Sequence, residues 1–330
     1  MPLARVAPRA LVASLLAGVL AAPTAHAQYR FTTIDVPGEL QTFVEGINNA
    51  GQIVGFSGAT SGNFFGFLYN AGAFTPIVPP GATHAAAFGI NDVGQIVGEN
   101  YPALGNPQGS VRGGFMRSNA GVFTPLNVPD AYATSVYDIN NAGRTVGQFD
   151  VLSPDGLTSI TDSFLYDAGV LTPFSVPGAS ETFVRGINDA GQIVGTYRTP
   201  PGDDHGFLYS GGVFTPIDVP GATITSVDGI NDAGTIVGTA IFDGPNGRSR
   251  GFVRTPNGTI TFIDVPTATG TGVRGINDVG QIVGWHGSPS APGIHGFLAT
   301  PTAVPEPATL ALVAGGLLGL GAVARRRQAA

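Results

Sequence analysis

One phrase, Ile-Asn-(Asn/Asp)-(Ala/Val)-Gly-x-x-Val-Gly, occurs six times in this chain, beginning at Ile47, Ile90, Ile139, Ile187, Ile230 and Ile276. The intervals are 43, 49, 48, 43 and 46 residues. A unit of that size cannot bury its apolar face alone, so the core must form between successive copies. Two further phrases keep the same order. A Gly-Phe or Ser-Phe segment follows each copy, at Gly66, Gly114, Ser163, Gly206, Gly251 and Gly296. An apolar–polar–apolar segment recurs as Ile34-Asp35-Val36, Ile77-Val78-Pro79, Leu126-Asn127-Val128, Phe174-Ser175-Val176, Ile217-Asp218-Val219 and Ile263-Asp264-Val265.

Each phrase reads as strand and turn. In Ile187 to Gly195 two short apolar strands flank a turn. Its Asn and Asp bond their own backbone, and its Gly takes the left-handed conformation that closes a bulged hairpin. The structural turn residues are therefore Asn48 and Gly51, Asn91 and Gly94, Asn140 and Gly143, Asn188 and Gly191, Asn231 and Gly234, and Asn277 and Gly280. Ile-Asp-Val alternates with period two, as a half-buried strand does. Pro76, Pro125, Pro173 and Pro216 precede four of those cores, which suits a sheet edge. A unit thus holds four short strands in about 46 residues, the size of a propeller blade.

The phase of the repeat adds a topological expectation. An Ile-Asp-Val strand opens the series before the first hairpin, and the series closes on Gly296-Phe297-Leu298 without one. The expected fold is an all-β six-bladed propeller whose N-terminal strand, Phe31 to Val36, completes the sixth blade and hides both edges. The alternative is an open β-solenoid.

The two ends lie outside this series. Arg5 and Arg9 precede an apolar run from Leu11 to Ala22, and Ala25-His26-Ala27 offers small residues at a cleavage site. Residues 1–27 therefore read as a secretory signal peptide with Gln28 as the mature N-terminus. At the other end Val304-Pro305-Glu306-Pro307 leads into an uncharged stretch, Ala308 to Ala324, and then Arg325-Arg326-Arg327. Seventeen residues make a helix of roughly 25 Å, slightly short for a hydrocarbon core of about 30 Å, and the arginines should stay cytoplasmic. A permanent anchor is the plain reading of such a segment.

Motif, weak span and basic end in that order resemble the PEP-CTERM sorting signal of Gram-negative bacteria. The resemblance implies an exosortase-type partner that processes the chain at Val304–Pro307. It also implies a membrane segment that is transient and a setting rich in exopolysaccharide. The repeats resemble the HAF repeat of bacterial extracellular proteins through His205-Gly206-Phe207, His295-Gly296-Phe297 and the Ile-Asn phrase, although four units lack the His. That family implies an extracellular protein. The expected organisation is signal peptide 1–27, propeller 28–303 and sorting signal 304–330.

Composition narrows the partners. Setting aside five arginines and Glu306 in the two ends leaves 10 basic and 21 acidic residues, a net charge near −11. There is no lysine. Such a surface argues against nucleic acid and anionic lipid. Without cysteine there are no disulfides, thiolate nucleophiles or Cys–metal sites.

Motifs for catalysis are sparse. Gly270-Thr271-Gly272-Val273-Arg274-Gly275 matches a dinucleotide fingerprint as a string but has no βαβ context. Calcium needs six to eight oxygens, more than the Asn-(Asn/Asp) pair of one turn supplies. His205 and His295 recur at one framework position, which points to packing or a backbone hydrogen bond. No cofactor or metal is expected. The long segments Glu99–Gly113 and Gln148–Asp162 follow corresponding strands of units two and three, so they should emerge on one face. Tyr101, Asp150, Asp155 and the single tryptophan, Trp285, are the candidate ligand-binding residues, through stacking and polar contacts with a sugar. The expected function is that of a non-enzymatic exported surface or matrix protein associated with exopolysaccharide. The alternative is a secreted propeller hydrolase or lyase acting on glycans, with the dispersed acids Asp150, Asp155, Asp203 and Asp243 converging at one end of the channel.

Overall fold

The computed structural model describes residues 28–302 apart from 59–63, 102–111, 154–158, 201 and 244–246. The signal-peptide positions Ala25 and Ala27, the sorting-signal positions Val304 to Pro307 and Arg325 to Arg327, and Asp155 lie outside the described residues.

The described residues form twenty-four strands and no helix. Each repeat folds into one antiparallel sheet of four strands in sequence order. Blade one consists of Gln41–Ile47, Ile53–Gly58, Phe64–Asn70 and Ala73–Ile77. Blades two to five repeat this plan from His84, Ala133, Glu181 and Ile224. Blade six takes three strands from the C-terminal side, Gly270–Ile276, Ile282–Gly287 and Ile294–Thr302. Its fourth is the N-terminal strand Gln28–Ile34, paired antiparallel from Gln28↔Thr302 to Ile34↔Gly296. The ring closes as the phase of the repeat requires, and the open solenoid is excluded.

The core is divided rather than central. Six hydrophobic clusters among the described residues each straddle a pair of neighbouring blades. One joins Ile34 and Val283 of blade six to Val44, Ile47, Ile53 and Phe67 of blade one. The Phe of each Gly-Phe or Ser-Phe phrase anchors its blade. Phe67, Phe115, Phe164, Phe207, Phe252 and Phe297 are all at most 3% exposed. Full burial of such a side chain is worth about 1.5–3 kcal/mol. The glycine of Val-Gly makes room for the ring. A Cβ on Gly195, for instance, would stand 2.1 Å from Phe183 O and 2.9 Å from the Phe207 ring.

The connection between blades is closed by a threonine. Thr42, Thr134, Thr182, Thr225 and Thr271 each accept the backbone N–H of the Val six residues earlier, at 2.9–3.1 Å. The irregular copy follows the same rule. Pro79 replaces that Val and has no N–H, and the matching position carries Ala85 instead of Thr. Pro76, Pro125, Pro173 and Pro216 fall in the outermost strands of their blades, where a missing donor leaves no ladder bond unmade.

Candidate functional site

The innermost strand of every blade is interrupted at one place. The register shifts between Val44 and Gly46, Ala87 and Gly89, Val136 and Asp138, Val184 and Gly186, Val227 and Gly229, and Val273 and Gly275. A bulge of this kind leaves one residue unpaired and re-aims its side chain. The six residues so released are Glu45, Phe88, Tyr137, Arg185, Asp228 and Arg274, and with Phe56 they line a cavity of about 220 Å³. The hairpin glycines also take left-handed angles, Gly51 at φ 75° and Gly191 at 74°. The bulge itself, however, lies upstream of the turn.

The cavity is chemically uneven. Arg274 is shared by two carboxylates, with Nη1 at 2.8 Å from Asp228 Oδ1 and Nε at 3.4 Å from Glu45 Oε2. Burial works against its charge, but those carboxylates outweigh it and hold the guanidinium above its ordinary pKa. Burial also raises Glu45, with Arg274 opposing. Asp228 is 6% exposed, and its second oxygen, Oδ2, is buried without a hydrogen-bond partner. The Arg185 guanidinium stacks 4.1 Å from the centre of the Tyr137 ring, and Phe88 lies 5.2 Å from Tyr137.

Next along the innermost strands comes a collar of Gly46, Gly89, Asp138, Gly186, Gly229 and Gly275. Here backbones of adjacent blades nearly touch. A Cβ on Gly46 would lie 2.6 Å from Phe88 O, and one on Gly229 would lie 2.7 Å from Arg274 O. Asp138 stands where five blades have glycine. Its carboxylate accepts the N–H groups of Ile139 and Ile187, each at 2.9 Å. Burial nonetheless pushes its pKa up to about 7, against the pull of those two donors.

Beyond the collar, the six Asn-(Asn/Asp) turns meet around the axis in two closed rings. In the inner ring each first-position Asn donates Nδ2–H to the carbonyl of the next: Asn48 to Asn91, Asn91 to Asn140, Asn140 to Asn188, Asn188 to Asn231, Asn231 to Asn277 and Asn277 to Asn48, all at 3.0–3.2 Å. In the outer ring each second-position backbone N–H donates to Oδ1 of its neighbour, through Asn49, Asp92, Asn141, Asp189, Asp232 and Asp278. Asn49 and Asn141 also give Nδ2–H bonds to the Oδ2 atoms of the acids on either side.

Asp232 breaks that alternation, so Asp189, Asp232 and Asp278 stand in a row. Burial raises the Asp232 pKa above the ordinary 3.8, the Asp189 N–H opposes this, and the charges of Asp278, Asp189 and Asp92 add to the rise. A carboxyl raised on folding stabilises the fold when protonated. Stability from this group is therefore lost at neutral pH and regained as pH falls through its folded value. Asp232→Asn restores the alternating donors. It should raise stability at pH 7 by roughly 0.5 kcal/mol or less, because water screens these exposed charges, with the gain shrinking in acid. Equal melting temperatures for the two proteins at pH 7 would remove this account.

The sequence-predicted binding residues fall in two places. Tyr101 and Asp150 join one network between blades two and three, at the end of the channel opposite the Asn rings. Tyr101 Oη donates to Glu99 Oε1 at 3.5 Å, Arg112 Nη2 to Asp150 Oδ2 at 2.8 Å, Thr161 Oγ1 to Asp150 Oδ1 at 2.7 Å, and Ser135 Oγ to Glu99 Oε2 at 2.6 Å. Burial raises Glu99 in spite of Arg112. Trp285 stands apart in blade six, 6.5 Å from Phe43. His205 and His295 bond carboxylates at the ends of the outermost strands, Asp218 at 2.9 Å and Asp35 at 2.8 Å, and His295 Nε2 also meets the backbone carbonyl of Ala291 at 3.4 Å. Among the described residues no group of three or more His, Asp or Glu side chains is arranged to hold a metal ion.

The fold and site define an all-β six-bladed propeller with a lined central channel and an amide-sealed axis. The chain belongs to the DUF3466 family of proteins of unknown function, whose profile matches residues 77–273. Residues 303–327 match the PEP-CTERM protein-sorting motif. This marks the protein as exported, transiently anchored in the membrane and a substrate of exosortase-type processing. The apolar segment of that motif lies outside the described residues, among which no helix is long and apolar enough to cross a membrane.

No curated protein matches the sequence. The chain is similar to solved structures at low identity. A six-bladed propeller lectin of Aleuria aurantia that recognises fucose is 10% identical, with 84% of this chain and 97% of that one covered and a TM-score of 0.45. AofleA of Arthrobotrys oligospora is 9% identical, with 84% and 94% covered and a TM-score of 0.49. An acylaminoacyl peptidase of Pyrococcus horikoshii is 10% identical, with 82% of this chain and 54% of the peptidase covered and a TM-score of 0.46. The chain thus spans about half of the peptidase's length.

Proposed function

We propose that this protein is a non-enzymatic component of the outer surface or extracellular matrix, and that it holds exopolysaccharide on the rim of blades one to three. The observation that carries this reading is an aromatic shelf beside a polar network. Phe64, Phe65, His84 and Tyr101 lie with ring centroids 5.8–6.4 Å apart, and Phe65 is 43% exposed. Tyr101 leads directly into the Glu99–Arg112–Asp150 network. Flat apolar faces with fixed polar groups beside them suit sugar rings, which present C–H faces and hydroxyl edges.

The sorting motif supports a destination in the envelope. The His-Gly-Phe segments, each with its His tied to an outer-strand Asp, support the HAF-like reading of the repeat. The non-enzymatic reading draws on the dispersal of the acids. Asp150 is held in blade three by Arg112 and Thr161, Asp203 opens a strand of blade four, and Asp243 is exposed in blade five.

The test is co-sedimentation of the exported protein with exopolysaccharide from its producing cells. The protein should pellet with the polymer, and a Phe65→Ala, Tyr101→Ala double variant should lose most of that binding while keeping its melting temperature. Binding unchanged in the double variant would reject the rim. Release of shortened chains would replace this reading by a glycan-cleaving one.

A further inference from the structure

The central cavity holds two polar groups that the fold leaves unused. Asp228 Oδ2 is buried and lacks a hydrogen-bond donor, although the other oxygen of the same carboxylate holds Arg274. Buried acceptors in native structures nearly always find a partner, and because Asp228 lines the cavity a turn of its side chain would bring Oδ2 to an incoming donor. Arg185 is the second group. It stacks on Tyr137 and has no carboxylate within ion-pair distance among the described residues, whereas Arg274 has two. A guanidinium stacked through its face keeps its N–H edge for bidentate contact with a carboxylate. The wall between blades one and three is aromatic, built from Phe56, Phe88 and Tyr137.

We infer that the channel is a binding site for a small hydroxylated monocarboxylate of the sugar-acid class. Its carboxylate sits on Arg185, a hydroxyl donates to Asp228 Oδ2, and its C–H face lies on the aromatic wall. The charges around the cavity favour this class. Glu45 and Asp228 share Arg274, which leaves Arg185, among the described lining residues, as the position where an anion gains a partner rather than a competitor. The volume agrees, because 220 Å³ accommodates about seven waters. That is room for one small polar ligand and not for a stretch of polymer. The six lining positions also depart from the repeat where the neighbouring positions keep to it. Val or Ala precedes them and Gly or Asp follows, yet they carry two acids, two arginines and two aromatics. Packing within one blade does not require that variety.

This inference is independent of the rim. The experiment is calorimetric titration of the whole exported protein with glucuronate, glucose and alanine. Glucuronate should bind and glucose should not, because it lacks the anion. Alanine should bind at least about tenfold more weakly, because it lacks the ring face that packs on Phe56, Phe88 and Tyr137. Arg185→Gln should weaken glucuronate binding by roughly tenfold or more. Arg185→Lys, which keeps the charge but not the fork, should recover part of the loss. Both variants should stay folded and melt within a few degrees of the wild type, since Arg185 gives up only its stacking on Tyr137 and no ion pair among the described residues. The rim variant Phe65→Ala, Tyr101→Ala should bind glucuronate normally, so that failure of one site is distinguishable from failure of the other. The inference is overturned by no glucuronate binding, by glucose or alanine binding as tightly, or by an unchanged affinity in Arg185→Gln.

Discussion

Deleting residues 28–34 from the exported chain should abolish the monomeric fold. The strand supplies the outer edge of blade six, and seven residue pairs from Gln28↔Thr302 to Ile34↔Gly296 would be lost. Ile34 is 2% exposed, Phe31 meets the buried Phe297 edge-on at 5.7 Å, and Tyr29 packs in the same cluster. Removing one fully buried and two partly buried side chains forfeits on the order of 5 kcal/mol. That is a large part of the 5–15 kcal/mol by which domains are stable. The remaining C-terminal strand would also expose a row of unpaired backbone groups, a template for pairing with other copies. Size-exclusion chromatography should show aggregate, and thermal scans should show no cooperative transition near that of the intact chain. A monomer melting within a few degrees of the intact chain would mean that ring closure contributes little.

This closure was legible because it depends on phase alone. An Ile-Asp-Val segment placed before the first hairpin, and missing after the last Gly-Phe, has one use in a ring, although only its Ile lies in the outermost strand and the Asp and Val begin the connection to the next blade. The hairpins and sheet edges were legible for a similar reason, because the apolar runs flanking the turn in Ile187 to Gly195 and the position of Pro76 are local consequences of one buried face and one missing donor. What a single repeat does not reveal is a contact between repeats. Asn188 reads as a turn former from its own neighbours, and that is only part of its role. The oxygen count of one turn likewise understates what gathers at the axis, where six turns converge.

The bulge residues went unnoticed for another reason. Glu45, Phe88, Tyr137, Arg185, Asp228 and Arg274 share no residue type, so a search for repeated phrases passes over them. A usable signal was present. A position that changes between acid, base and aromatic, inside a phrase whose other members stay fixed, is free of packing constraint and faces something other than the core. Asp138 carried the same kind of signal, as the single side chain at a position otherwise filled by glycine. Tyr101 and Asp150 came from loop length alone, and the structure joins them through Arg112 and the buried Glu99. Trp285 came from its rarity, which says nothing of place, and it stands in another blade.

The inner Asn ring leads to the second large expected effect. Asn188 uses both halves of its amide. Nδ2–H donates to Asn231 O at 3.1 Å and to Gln192 Oε1 at 2.8 Å, and Oδ1 accepts the Gln192 N–H at 2.9 Å. Asn188→Ala leaves the part-buried Gln192 N–H without its acceptor and removes one of the two donors to the Asn231 carbonyl, which keeps the Gly234 N–H. At about 1–3 kcal/mol for one unsatisfied donor and about 1 kcal/mol for the other lost bond, the loss should be about 2–4 kcal/mol. Asn188→Asp should be no better. It keeps the acceptor for Gln192 but turns a carboxylate oxygen toward the Asn231 carbonyl. The second position has a weaker requirement, since the ring bond needs only Oδ1, which both Asn and Asp supply, and the Asn141 Nδ2–H bond to Asp189 Oδ2 that an Asn would give up is exposed to water. Asp189→Asn should therefore change stability by less than about 1 kcal/mol. This contrast explains the sequence pattern itself, six Asn at the first position and a mixture at the second. Chemical denaturation of the three variants measures it. Similar losses in Asn188→Ala and Asp189→Asn would show that the turns act singly, with no ring between them.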